Sequence, residues 1–412
     1  MRIGIIGAGH AGVEAARQAS QLGAEVVLFS RESVLPYFRP KVVALAFGQV
    51  DLDSIYLRPE KWYDEHGIDL RLNSEVTHLD AGAKAVTAGR QEERFDALVL
   101  ATGAAPALLP FAQQWPQDVI PLWGATESLA IRERLAGTRQ ILILGGGISG
   151  VEAALYAREV GLDVTMVEKM GHLIPQQLGV GAAGVLMRQL QTAGVNVMTG
   201  RYAVTVSKDQ KQLHVILDDG SEVTCDLILT TAGATRKLKL LVDTGLSVDR
   251  GIVVDEYQQT SVPGVFACGD IAQRQGLGLA TVVRAHAQGR GAGDNAVAFV
   301  QGRPLAPAPE PVAPLLFKHK DVEIQSIGPL PGGPIEERVL MTDGRTVYRS
   351  VLLEDSLSPT QHVVFGSPSG QVLDGSRAGA AGILRGMQMV GHHPDFRRLT
   401  DCLGQPWDKV VS

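Results

Sequence analysis

A short apolar strand, a turn with three spaced glycines and an alanine-rich helix follow one another at the start of this chain. The same order returns at Gln140. The first copy runs Arg2 to Ile6, then Gly7-Ala-Gly9-His-Ala-Gly12, a helix to Leu22 and a second strand, Glu25 to Phe29. The second runs Ile141 to Leu144, then Gly145-Gly-Gly147-Ile-Ser-Gly150, a helix to Val160 and the strand Asp163 to Val167. Each glycine in such a turn meets a different steric demand. The first permits the tight bend, the second lets backbone approach a pyrophosphate, and the third lets helix pack against strand. The unpaired amides and positive dipole end of the following helix then favour a phosphate without any lysine. A lone glycine turn is weak evidence. Two copies, each following a strand and opening a helix, predict two dinucleotide sites.

The rest of the chain extends this internal likeness. Asp96-Ala-Leu-Val-Leu-Ala101-Thr102-Gly103 reads as a buried strand entering a glycine turn, and Asp226 to Gly233 repeats the pattern. After Val253 come short strands, the stretch Val265-Phe-Ala-Cys-Gly269-Asp270, and a helix predicted through Ala285 to Phe299. Five prolines between Arg303 and Pro314 predict an extended connector. Beyond it, 321–327 and 346–353 read as strands and 378–389 as a helix. The resulting expectation is an α/β protein with two Rossmann-like dinucleotide-binding domains and a small α+β C-terminal domain. The first domain is discontinuous, 1–112 with 246–305; the second is 113–245 and the third 306–412.

With 412 residues the chain exceeds what one core usually organises. Its net charge of -6 gives no global attraction to nucleic acid or anionic lipid. No apolar run reaches the roughly 18 residues of a spanning helix. A strand pattern already under way at Arg2 leaves no room for an export leader, so the expected address is the cytoplasm. Cys225, Cys268 and Cys402 form no C-x-x-C pair, which supports neither a disulfide framework nor a metal site.

The residue ending the second strand of each unit normally reads a ribose. In the second copy it is Glu168, an acceptor for ribose hydroxyls that would repel a 2′-phosphate, so NADH is favoured over NADPH. Lys169 and Arg201 soften that preference, because a nearby cation accommodates the extra phosphate. In the first copy Ser30 stands there, followed by Arg31 and Glu32. The contact is either shifted to Glu32 or replaced by the Ser30 hydroxyl.

In this ordered set of motifs the chain resembles the two-dinucleotide flavoprotein reductases related to glutathione reductase. The resemblance is best to the branch with rubredoxin reductases, ferredoxin reductases and the reductase segment of NADH-dependent nitrite reductases, and covers residues 1 to about 350. It implies FAD in the first domain and NADH in the second. By the resemblance, Gly269-Asp270 binds the ribityl chain, although an Asp there is also a common helix cap. Ala101-Thr102-Gly103 contacts the flavin nucleotide, Arg39 and Lys41 in Pro36-Tyr-Phe-Arg-Pro-Lys41 lie along FAD, and the backbone of Val76 meets the adenine. Glu152 matches a glutamate near nicotinamide and flavin, with Glu14 its counterpart in the first copy. Lys318, in the segment Leu316 to Gly328, approaches the flavin. Gly233 falls among the NADH contacts.

Relatives with thiol relays carry cysteines after the first unit, whereas residues 35–50 hold none. Electrons are therefore expected to leave FAD directly, for a one-electron carrier such as rubredoxin, ferredoxin or a similar iron-containing protein. The competing readings are an NADH:quinone or oxygen oxidoreductase, and a flavin-bearing sensor or assembly protein with little turnover. Gly391 to Arg398 gathers bases near an aromatic and suits an acidic carrier, but also reads as a solvated loop.

Overall fold

The computed structural model describes residues 1–209, 212–274, 281–311, 315–319, 322–327, 338–342, 345–355 and 382–391. They divide into two compact units. The first comprises 1–107, 123–126 and 234–311, and the second 108–122, 127–233 and 312–412.

In the first unit five strands form one sheet in the order Val265–Ala267, Ala97–Leu100, Arg2–Ile6, Glu25–Phe29, Ile68–Arg71. All neighbours pair in parallel. Parallel strands are covered on both faces, which is why Ile3, Ile5, Val26, Leu28, Leu98 and Val99 form nearly continuous apolar runs. The helices His10–Gln21 and Val282–Val300 cover one face and meet through small residues. A Cβ on Gly289 would lie 2.2 Å from the Ala11 carbonyl oxygen, and one on Gly293 2.6 Å from that of Ala15. The other face packs on Val76, Leu79 and Val86 from a small antiparallel sheet.

The second unit repeats the design. Its parallel sheet runs Val195–Thr199, Asp163–Glu168, Gln140–Leu144, Leu227–Thr230, Val119–Pro121. Helices Ile148–Glu159 and Val180–Thr192 pack against it. An antiparallel three-stranded sheet spans Ala203–Lys208, Leu213–Leu217 and Glu222–Cys225.

A further antiparallel sheet of five strands follows residue 312, in the order Leu315–Lys318, Glu323–Ile327, Gly382–Gly391, Arg345–Asp355, Arg338–Thr342. This corrects one expectation: 382–391 is a strand, where the pattern over 378–389 predicted a helix. Glycines at 382, 386 and 391 weaken a helix by up to about 1 kcal/mol each where they fall inside it. A central position also supplies ladder partners on both sides, from Glu323–Ile327 and Arg345–Asp355. Residues 392–398, part of the proposed carrier-contact stretch, and Cys402 lie outside the described residues. Among the described residues no helix is long and apolar enough to cross a membrane.

Candidate functional site

Parallel strands send their following loops to one edge of the sheet, and ligands of such sheets bind there. In the first unit that edge gathers most of the residues singled out from the sequence. Gly7 has φ +105°, in the left-handed region that glycine favours. A Cβ there would meet the Ala101 carbonyl oxygen at 2.3 Å, so the glycine turn lies against Ala101-Thr102-Gly103. A Cβ on Gly12 would fall 1.8 Å from the Gly7 carbonyl oxygen, which draws the helix onto the turn. Gly9 has open space where its Cβ would be. It caps the helix His10–Gln21 with no side-chain hydrogen bond and no acidic residue in the first turn. The amide end is thus approachable and carries no competing negative charge, an arrangement that fits a pyrophosphate.

The Cys268 amide donates to the Leu100 carbonyl (3.0 Å), which brings Gly269-Asp270 beside the Ala101 turn. Gly269 has φ +73°, and its amide donates to the buried Gln288 side chain at 3.0 Å. Asp270 lies half-buried in the short turn Gly269–Ile271.

Ser30 is buried, and its hydroxyl accepts from the Glu32 amide at 3.2 Å. The Glu32 carboxylate pairs with Arg39 at 2.8 Å. The Arg39 guanidinium lies 5.2 Å from the Tyr37 ring centre and 5.9 Å from that of Trp123. Lys41 is exposed in the adjacent short helix Arg39–Lys41. Val76 begins the strand Val76–Asp80, largely buried in the second core of this unit. Glu14 is bound by Arg17 at 2.7 Å and Arg290 at 3.2 Å. Burial raises its pKa, but the two guanidiniums outweigh that and hold it below the usual range.

Several residues at this edge were not legible as site residues. His10, inside the glycine turn, accepts from the Arg39 amide at 3.3 Å and shares a 3.0 Å hydrogen bond with His286. Burial, with His286 and Arg39 nearby, lowers its pKa to about 4. The ring therefore stays neutral at physiological pH, with Nδ1–H pointing to His286 and Nε2 accepting from Arg39. Tyr37, Trp123 and Gln288 were missed as well. Gln288 left a faint signal, a long polar side chain among alanines and glycines on a helix.

The second unit builds the matching edge. Gly145 has φ +120°, and a Cβ there would meet the Thr231 carbonyl oxygen at 2.5 Å. A Cβ on Gly150 would lie 2.0 Å from the Gly145 carbonyl oxygen, and the Cβ position of Gly147 is open. The Thr231 hydroxyl donates to the Gly145 carbonyl at 2.8 Å. Gly233, with φ +97°, is exposed two residues beyond Thr231. Glu168 is buried, and its carboxylate accepts from the Gly146 amide at 2.5 Å and the Met170 amide at 2.7 Å. Gly146 was not expected to matter, yet a Cβ there would lie 2.6 Å from Leu173 and 2.9 Å from Cβ of Glu168.

Glu152 lies half-buried on the helix Ile148–Glu159. Burial, with Glu152 and Glu159 close by, raises the pKa of Tyr156 on the same helix. His319 packs edge-on against Tyr156 with ring centres 5.3 Å apart, and its Nε2 is 3.3 Å from Glu159. The Ser326 hydroxyl donates to the Gln177 carbonyl at 2.7 Å. These contacts tie the paired strands Leu315–Lys318 and Glu323–Ile327 to this unit, and Lys318 is exposed beside His319.

Cys225 and Cys268 are both buried, and burial pushes each thiol to about 12. Neither is a thiolate at neutral pH, so neither suits thiol relay chemistry. Among the described residues no cluster of His, Cys, Asp and Glu suits a metal ion.

A family model described as pyridine nucleotide-disulphide oxidoreductase matches residues 1–289. The rubredoxin-NAD(+) reductase of Pseudomonas putida is 32% identical over 289 residues, covering 69% of this chain and 75% of that protein. The assimilatory nitrate reductase electron transfer subunit of Bacillus subtilis (strain 168) is 29% identical over 293 residues, 70% of this chain but only 38% of that protein. The solved NAD-dependent persulfide reductase from A. fulgidus superposes with a TM-score of 0.82 at 22% identity, covering 99% of this chain and 78% of that one, a likeness of fold alone. With its duplicated glycine turns, its two parallel sheets and a family match over residues 1–289, the chain belongs to the pyridine nucleotide-disulphide oxidoreductase family.

Proposed function

We propose that this chain is an FAD-dependent NADH reductase that delivers electrons to an iron-containing carrier protein such as a rubredoxin or ferredoxin, and that it works in the cytoplasm. The observation carrying this reading is the pair of open glycine cradles, one in each unit, in a chain whose described cysteines are buried and protonated. Relatives at 31–32% identity bear the names rubredoxin-NAD(+) reductase and ferredoxin–NAD(+) reductase component, which points to the same class of acceptor.

The domains take the bounds 1–112 with 246–305 for FAD, 113–245 for NADH and 306–412 for the third. Gly7, Gly9 and Gly12 bring the amide end of the helix to the flavin pyrophosphate. Asp270 accepts from the ribityl hydroxyls, and Ala101-Thr102-Gly103 offers backbone to the flavin. Glu32, held by Arg39, takes the adenosine ribose, with the Ser30 hydroxyl fixing its loop. Lys41 and the Val76 backbone complete the contacts. Gly145, Gly147, Gly150 and Gly233 line the NADH cradle, and Glu168 takes its ribose hydroxyls.

When bound, FAD supplies a centre that accepts hydride from NADH and releases electrons one at a time. The protein's part is alignment, exclusion of water and electrostatics. With both cofactors bound, Lys318 would offer positive charge toward the flavin, and Glu152 would order the nicotinamide side.

Anaerobic stopped-flow at the flavin band tests the sequence of events. Rapid bleaching by NADH, slower bleaching by NADPH and reoxidation on adding rubredoxin or ferredoxin are expected. A flavin that neither nucleotide bleaches would sink the reductase reading and favour a sensor. Reoxidation by quinone or oxygen but not by either carrier would replace the acceptor.

A further inference from the structure

Arg201 lies directly beside Glu168, the residue proposed above to read the NADH ribose. Its amide donates to the Glu168 carbonyl at 3.1 Å, and the Gly200 amide donates to the Met170 carbonyl at 2.8 Å. An arginine carried this close in the chain to the end of such a strand is the usual means of accommodating a 2′-phosphate, and here its Nη1 donates to the Gly200 carbonyl at 3.2 Å. Its Nε is bound by Asp219 at 2.7 Å. Asp219 is itself pre-oriented. Its Oδ1 accepts from the Ser221 amide at 3.0 Å and the Ser221 hydroxyl at 2.6 Å, which leaves Oδ2 for Arg201. The neighbouring strand is held in place as well, since the Tyr202 amide donates to Asp218 at 3.0 Å. The second cation at this edge, Lys169, lies over the Tyr202 ring with its Nζ 5.4 Å from the ring centre.

We propose that Asp219 is a specificity-determining residue that enforces NADH over NADPH by occupying Arg201, whose backbone is bonded to Glu168 and whose side chain would otherwise receive the 2′-phosphate. Glu168 repels the extra phosphate, and Asp219 withdraws the cation that would attract it. The preference thus rests on a residue in the Leu213–Leu217 to Glu222–Cys225 hairpin, far in sequence from the glycine turn. The inference rests on the reading of the second unit as the nicotinamide nucleotide site.

The test uses the flavin-loaded full chain, with NAD+ and NADP+ titrated separately by calorimetry. Asp219→Asn retains an oxygen for the Ser221 amide while removing the charge that holds Arg201. The ratio of the NADP+ Kd to the NAD+ Kd should fall about two- to fivefold in Asp219→Asn, the range that release from an exposed ion pair allows. It should return to the wild-type ratio in Asp219→Asn with Arg201→Ala. Asp219→Ser, whose hydroxyl can also cap the turn, should reproduce the fall and serves if the asparagine variant folds poorly. An unchanged ratio in variants that bind NAD+ overturns the role of Asp219. Wild-type protein that binds neither nucleotide overturns the nucleotide reading of the unit itself.

Discussion

His10 occupies one of the variable positions of the first glycine turn, where nothing in the fingerprint requires a histidine. Its neighbours show what the ring does there, since it takes the Arg39 amide on one nitrogen and His286 on the other. Phe38 packs edge-on against it, 5.3 Å away. Burial lowers its pKa from the usual 6.5 to about 4, and burial lowers that of His286 too. Between those values the unfolded chain binds a proton that the folded one refuses. Stability contributed by neutral His10 is therefore complete above pH 6.5 and is lost as pH falls toward 4. The loss should amount to about 2–3 kcal/mol. Urea unfolding between pH 7 and 4 should show a shallower pH dependence in His10→Gln than in wild type. Equal slopes would mean that His10 is not the group responsible. A glutamine can still accept from the Arg39 amide, so the comparison isolates the titration.

The paired helices His10–Gln21 and Val282–Val300 show how an element's composition follows from its closest neighbour. Gly289 and Gly293 let the second helix approach the first almost backbone to backbone. Gly184, inside the helix Val180–Thr192, has only the flexible end of Arg188 near its missing Cβ, at 4.0 Å. The same substitution should therefore act in opposite directions. Gly289→Ala should destabilise by about 1–3 kcal/mol and weaken FAD retention, because the overpacked side chain pushes on Ala11 within the glycine turn. Gly184→Ala should stabilise by about 0.5–1 kcal/mol through helix propensity. Thermal melts of both variants and the flavin content of Gly289→Ala check these outcomes; a neutral Gly289→Ala would show that the helices can separate at no cost.

At the scale of the molecule, two units of like design present two open amide cradles, and which ligand each holds is testable without turnover. Hydrogen exchange should slow at 8–12, 102–104 and 269–271 when apoprotein is loaded with FAD. Adding NAD+ to the loaded protein should slow exchange at 146–150 and 169–173, since binding reduces local opening. NAD+ protection confined to 8–12 would reverse the assignment. The two edges differ in how they treat their acidic residue. Glu32 is neutralised by Arg39 in the first, whereas Glu168 is buried and held by two amides in the second.

The repeated strand, glycine turn and helix were legible because each glycine answers a backbone demand set by its immediate neighbours along the chain. The same holds for the buried parallel strands, whose apolar runs report burial on both faces. The sequence alone thus determined two dinucleotide-type units, the positions of their turns and the lack of a cysteine pair after the first. It misjudged 382–391, where the ladder partners that make a strand lie tens of residues away. Tertiary structure alone decided the contacts between distant segments: His10 with His286, Gly269 with Gln288, Arg39 with Trp123, and Asp219 with Arg201. Such pairs leave no local periodicity, since a hydrogen bond or ion pair depends on where two side chains meet in space and not on the spacing that carries them there.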